Sequence, residues 1–135
     1  MVLFLFLTAG FLIWKKYQPV GDVLIQTDKT EYQSGDVLKV KIKNNLGKNI
    51  SFSSCYPYYL ERKNEQWESY KYVQCHELNG NGHYITSGEE KAFEITLPKV
   101  SDGLHRLSVP VCMECKNNDS FRNDKIFYSN EFFIK

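Results

Sequence analysis

From Asp22 onward, apolar and polar residues alternate in short runs broken by turn residues. This is the period-two pattern of strands with one buried face. The clearest run is Val37–Lys43, where Leu38, Val40 and Ile42 oppose Val37, Lys39, Lys41 and Lys43. Extended structure is also predicted over Val23–Thr27, Ile50–Ser53, Tyr58–Arg62, Trp67–Val73, Ala92–Leu97, Leu104–Val111 and Ile126–Ile134. Turn chemistry separates the runs: Ser34-Gly35-Asp36, the polar Asn44–Asn49, a hairpin tip at Asn64-Glu65, Ser87-Gly88-Glu89-Glu90, Pro98 and Ser101-Asp102-Gly103. Asn79-Gly80-Asn81-Gly82 reads as a long flexible loop. No helical period, repeat or low-complexity segment follows residue 21. The expectation is an all-β fold of seven to nine antiparallel strands. A single sheet of this apolar content would leave one apolar face in water, so the strands should form two sheets packed face to face.

The opening of the chain follows different rules. Met1–Trp14, MVLFLFLTAGFLIW, carries no charge and is followed at once by Lys15 and Lys16. Fourteen residues fall short of the about 20 that a spanning helix needs. A secretory signal would show a basic segment before the apolar run and a small-residue cleavage site after it. Leu7-Thr8-Ala9-Gly10 looks like the start of a lipobox, but Phe11 stands where the lipidated Cys should be, which rules out a lipoprotein. The two lysines alone would keep the domain in the cytoplasm. The four cysteines and the Pro19-Val20-Gly21 linker argue for the opposite side. Both sets of signals are met if residues 1–18 are the far part of a signal-anchor helix whose basic start lies upstream of Met1, with Trp14 and Tyr17 at the interface. Residues 19–21 are then a linker and residues 22–135 an extracytoplasmic domain on a single-pass cell-membrane protein. A cleaved signal peptide and a buried core segment are the alternatives.

Composition narrows the class. The 135 residues are enough for one domain with one core, and nine Tyr, nine Phe and two Trp are too many for a disordered chain. The formal net charge is +1; residues 22–135 lack only Lys15 and Lys16 of the basic residues and carry −1. That leaves no basic surface of the size nucleic-acid binding requires.

Several segments together suggest a family. Thr30-Glu31-Tyr32-Gln33-Ser34-Gly35-Asp36, followed by Val37–Asn45, resembles the Y-x-x-G-D turn and strand that open bacterial extracytoplasmic immunoglobulin-like domains. Tyr59–Lys63 with Trp67-Glu68, Ile85–Glu89, Gly103-Leu104-His105-Arg106-Leu107 and Tyr128-Ser129-Asn130-Glu131-Phe132 match further pieces in order, over residues 22–135. The resemblance implies an immunoglobulin-like β-sandwich on an envelope or secreted protein, without enzymatic activity, cofactor or catalytic residues to carry over. His105 departs from the pattern, because a Tyr is usual there. That Tyr packs its ring and bonds its hydroxyl to nearby backbone, and His105 is expected to do the same more weakly.

The candidate chemistry lies in cysteines and rings. Cys55, Cys75, Cys112 and Cys115 are expected to form two disulfides. Cys55 and Cys75 flank one hairpin, and closing that loop stabilises by roughly 3 kcal/mol; Cys112 and Cys115 would then form a local bridge. The alternative is a metal site of all four thiolates, or a thiol-redox or copper motif at Cys112-Met113-Glu114-Cys115. Only one C-x₂-C is present, however, and it follows a strand instead of opening a helix. His76, His83 and His105 show no catalytic spacing, and the Asn117-Asn118-Asp119 and Asn123-Asp124 segments follow no Ca²⁺-loop register. Tyr56, Tyr58, Tyr59, Trp67, Tyr70 and Tyr72 crowd one hairpin. Trp67 is expected in the core, and Tyr58, Tyr70 and Tyr72 are the candidate surface for a protein or glycan partner. The functional expectation is adhesion, envelope assembly or surface recognition. A third reading is an inhibitor-like sandwich that presents Asn79–Tyr84 to a protease.

Overall fold

The alternation of Val37–Lys43 is realised residue by residue. In the computed structural model this segment belongs to a strand whose Leu38, Val40 and Ile42 are fully buried while Lys39, Lys41 and Lys43 face water. The structure describes residues 21–53, 58–70, 81–116 and 119–135. The regular elements among them are strands: β1 (Val23–Thr27), β2 (Glu31–Tyr32), β3 (Val37–Asn44), β4 (Ile50–Ser53), β5 (Tyr59–Lys63), β6 (Trp67–Ser69), β7 (Asn81–Ile85), β8 (Glu90–Thr96), β9 (Gly103–Met113), β10 (Lys125–Tyr128) and β11 (Phe132–Ile134). Among the described residues no helix is long and apolar enough to cross a membrane. The anchor helix expected at residues 1–18 lies outside the described residues.

β1, β3 and β8 form one antiparallel sheet with β3 in the middle. The second sheet is organised around β9, the longest strand at eleven residues. One edge of β9 pairs first with β11, at Gly103–His105, and then with β10, at Ser108–Val111. Its other edge pairs with β5, at His105–Ser108, and then with β4, at Cys112–Met113. β6 and β7 extend this sheet through β5 and β4. The inward residues of both sheets, among them Val40 and Ile42 of β3 and Leu107, Val109 and Val111 of β9, join in one core.

Three expectations need correction. The described residues make eleven strands where seven to nine were expected, because the closing run breaks in two at Ser129–Glu131 and the Glu31-Tyr32 pair forms a ladder of its own. Not all pairings are antiparallel: β2 runs parallel to β11, with Glu31 beside Phe133 and Tyr32 beside Ile134. Finally, Asn81–Gly82 belong to a strand and not to a loop. Ile85 is fully buried, and this anchors Asn81–Ile85 against β4. Of the Asn79–Tyr84 stretch offered to a protease by the inhibitor-like reading, Asn81–Tyr84 is therefore paired strand, and Asn79 and Gly80 lie outside the described residues.

The motif residues act at turns and at the seam between sheets. Tyr32 is buried, and its hydroxyl donates to Asp28 Oδ1 at 2.6 Å while accepting from Lys29 N–H at 2.8 Å. Gly35 takes φ +89°, a conformation that side chains disfavour, and Asp36 Oδ2 accepts from Gln33 N–H to close the turn. Asn44 is buried with its polar atoms engaged: Nδ2 donates to the carbonyls of Lys48 and Ile85, and Oδ1 accepts from Leu46 N–H. Asn130 reaches from the β10–β11 break to β1, accepting from Thr27 N–H at 2.9 Å and donating to Thr27 Oγ1 at 2.7 Å. Ser129 Oγ accepts from Leu107 N–H at 2.8 Å.

Candidate functional site

Burial of Leu60 fixes the orientation of the β5–β6 hairpin. With Leu60 in the core, Tyr59, Glu61 and Lys63 must face outward. The tight connection closes with Asn64 N–H donating to Gln66 O and pairs Lys63 with Trp67. Directly paired residues share a face, so Trp67 is sent outward too. The core position expected for Trp67 is thus corrected by register: a half-buried ring stands on the outer face of the β9 sheet.

On that face β9 presents Arg106, opposite Glu61 of β5. Arg106 Nε donates to Glu61 Oε1 at 2.7 Å, and Glu61 Oε2 accepts from Ser69 Oγ at 3.2 Å. Both charged side chains are largely shielded, with 20% of Arg106 and 13% of Glu61 exposed. The guanidinium lies between two rings, 4.2 Å from the Trp67 centroid and 3.8 Å from that of Tyr128 on β10. Such contacts contribute about 0.5–2 kcal/mol each, more as water is excluded. Lys63 Nζ lies 5.5 Å from the Trp67 ring. Beyond the stack the same face carries exposed apolar groups: Tyr128 is 46% exposed, Ile126 38% and Phe133 52%. Ile126 pairs with Pro110 and Phe133 with Leu104, which places all four on the side away from the core.

The tyrosines singled out in the sequence are placed differently. Tyr58 and Tyr70 are half-buried and pack against the core, which corrects their assignment to an open aromatic surface; Tyr72 lies outside the described residues. Tyr70 stacks on His105, with ring centroids 6.0 Å apart, and its hydroxyl meets His105 Nε2 at 3.3 Å. His105 is fully buried and also stacks on Phe132. Its Nδ1 lies 2.8 Å from the Gly103 carbonyl, which can only accept. Nδ1 therefore carries the proton, and Nε2 accepts from Tyr70. Burial pushes the imidazole pKa down; the Gly103 bond opposes this and the Arg62 charge adds to it. His105 thus replaces the usual Tyr as a packed ring bonded to backbone, and its chemistry is spent inside the fold. His83 stands edge-on to Phe93, and His76 lies outside the described residues.

Cys112 and Cys115 are joined in a disulfide, their Cα atoms 5.8 Å apart, at the end of β9. Both are buried, and Glu114 between them takes φ +56°. The local bridge expected at this motif is therefore present; Cys55 and Cys75 lie outside the described residues. The donor atoms of Cys112, Cys115 and Asp124 lie within 4.8 Å of one another. Bridged sulfurs supply no thiolate, however. Asp124 already accepts from Met113 N–H at 2.8 Å and from Arg122, and these bonds hold its carboxyl below the usual range, Arg122 first. This cluster suits a structural clasp better than a metal centre. A groove of about 490 Å³ follows the outer edge of β1 beside Tyr128 and Asn130. The Val23 and Thr27 N–H groups on this edge are capped by Asp22 and Asn130.

The model of the bacterial Ig-like domain matches residues 21–124 of this two-sheet fold. The chain belongs to the bacterial Ig-like domains. No curated protein matches it. Among solved structures it is similar, at 19% identity and a TM-score of 0.34, to a β-glucosidase from Listeria innocua in complex with gluconolactone. That match covers 87% of this chain, and the chain spans 17% of the length of the β-glucosidase. The family match takes in Tyr32, Gly35, Asn44 and Gly103 of this Ig-like domain, and stops before Lys125–Tyr128, the strand that brings Tyr128 to Arg106, and before the seam residues Ser129 and Asn130.

Proposed function

We infer that this Ig-like domain is a non-enzymatic recognition module of the cell envelope. Residues 1–18 anchor it in the membrane, and residues 22–135 stand on the extracytoplasmic side, where they bind another surface molecule. One observation carries the reading: the outer face of the β9 sheet joins a shielded Arg106, two flanking rings and exposed apolar groups. Trp, Tyr and Arg in such a setting are the residue types that dominate binding energy at protein interfaces. The buried disulfide supports an oxidising compartment.

The test is an intact-mass measurement on the full chain recovered from bacterial membranes, with thiols alkylated but not reduced. The reading expects a species that resists carbonate extraction, is cleaved by protease added to intact spheroplasts, and takes up no alkyl group. Four alkylatable thiols on a protease-protected chain would overturn it in favour of a cytoplasmic thiol or metal domain built on Cys112 and Cys115.

A further inference from the structure

Arg106 holds two amino groups that the fold does not use. Nε is bonded to Glu61, and the guanidinium lies against the rings of Trp67 and Tyr128. Among the described residues, neither Nη atom has a hydrogen-bond partner. The group is held by its ion pair and its rings, so it has lost most of its rotamer freedom before a ligand arrives. What remains open is a planar fork of N–H donors, which matches a carboxylate through two parallel bonds. Charge favours the same ligand. Arg106 and Glu61 offset one another, and Lys63 beside the Trp67 ring leaves the group net positive.

The surroundings distinguish the source of that carboxylate. Ile126 and Phe133 offer neither donors nor acceptors to sugar hydroxyls, but they suit the apolar side chains of a peptide. We propose that the Trp67–Arg106–Tyr128 stack receives an Asp or Glu side chain of a protein partner, with Ile126 and Phe133 taking apolar residues on either side of it. This proposal rests on the recognition reading and names the chemistry of its partner.

The experiment pans a random heptapeptide display library on the full chain in detergent micelles. Binding of the selected peptide, made synthetically, is then measured by fluorescence anisotropy. Selected sequences should share an Asp or Glu beside apolar residues. Changing that acid to its amide should weaken binding at least tenfold. Arg106→Lys, which keeps the charge but loses the fork, should do the same. Phe133→Ser, which leaves the Glu61 pair untouched, should weaken binding severalfold, and circular dichroism on both variants separates loss of binding from loss of fold. Selected peptides without an acid whose binding still falls with Phe133→Ser would overturn the carboxylate slot and leave the recognition reading standing. Arg106-dependent binding of trigalacturonate, with no peptide selected, would assign the slot to an acidic glycan and overturn the protein partner. No binding of either probe that depends on this face would overturn both readings.

Discussion

His105 shows how one side chain can look functional in sequence and be structural in space. A lone histidine near a strand start invites a catalytic or ligand role, but burial between Tyr70 and Phe132 keeps it neutral. A base whose folded pKa is depressed contributes stability that is present above its unfolded pKa, about 6.5, and lost as pH falls through the folded value. The denaturation midpoint should therefore drop as pH falls below about 6.5. In His105→Phe that acid step should be shallower, at a loss of about 1–2 kcal/mol at pH 8 from the missing hydrogen bonds. Tyr32 carries the opposite limb. Burial, reinforced by its bond to Asp28, pushes its pKa up to about 12. The neutral phenol's contribution is then complete below pH 10 and is lost as pH rises through about 12. Urea titrations should show Tyr32→Phe less stable by about 1–2 kcal/mol at neutral pH, with a flatter decline above pH 10.

At the scale of elements, legibility followed the strength of local alternation. Val23–Thr27 and Ile50–Ser53 were readable to the residue, because Val23, Ile25, Ile50 and Phe52 are inward. Gly103 was readable as a turn residue. The structure adds that its φ is +145° and that a Cβ there would come 3.3 Å from Arg62 Nε. The face of the β5–β6 hairpin was not legible. Trp67 and Tyr70 are three residues apart in a run of mixed polarity, and only the burial of Leu60, a tertiary fact, decides which ring goes inward. Arg106 was missed for a related reason. Its signal is an outward position on β9 opposite a Glu on β5, and the cross-strand register that makes this visible is not written in either strand alone. The break between β10 and β11 also hid in the sequence, as its cause is the reach of Asn130 to β1. Asn130→Ala should cost about 1–3 kcal/mol through the two lost bonds. It should also speed amide exchange at Thr27 more than at Leu38 or Val40 in the centre of the sheet, which hydrogen-exchange mass spectrometry or NMR would resolve.

Across the whole molecule, scaffold and surface separate cleanly. The residues that carried the family resemblance hold turns and close the seam between sheets: Tyr32, Gly35, Asn44, Gly103, Ser129 and Asn130. The outer face of the β9 sheet draws on β5, β6, β10 and β11, so no contiguous segment records it. This is why the sequence points to a fold more readily than to a partner.

The parallel pairing of β2 with β11 has a mechanical meaning. Phe133 N–H donates to Thr30 O and Lys135 N–H to Tyr32 O, at 2.8 and 2.9 Å. Because the strands run in the same direction, the entry to β2 and the exit from β11 lie at opposite ends of their shared ladder. Tension applied between Lys29, just ahead of β2, and Lys135 therefore slides one strand along the other and stretches these bonds together, where an antiparallel hairpin would unzip them in turn. In single-molecule stretching, Phe133→Pro, which deletes the donor to Thr30, should lower the first rupture force. A module tethered at its N-terminal side would be built to resist a pull on its far end.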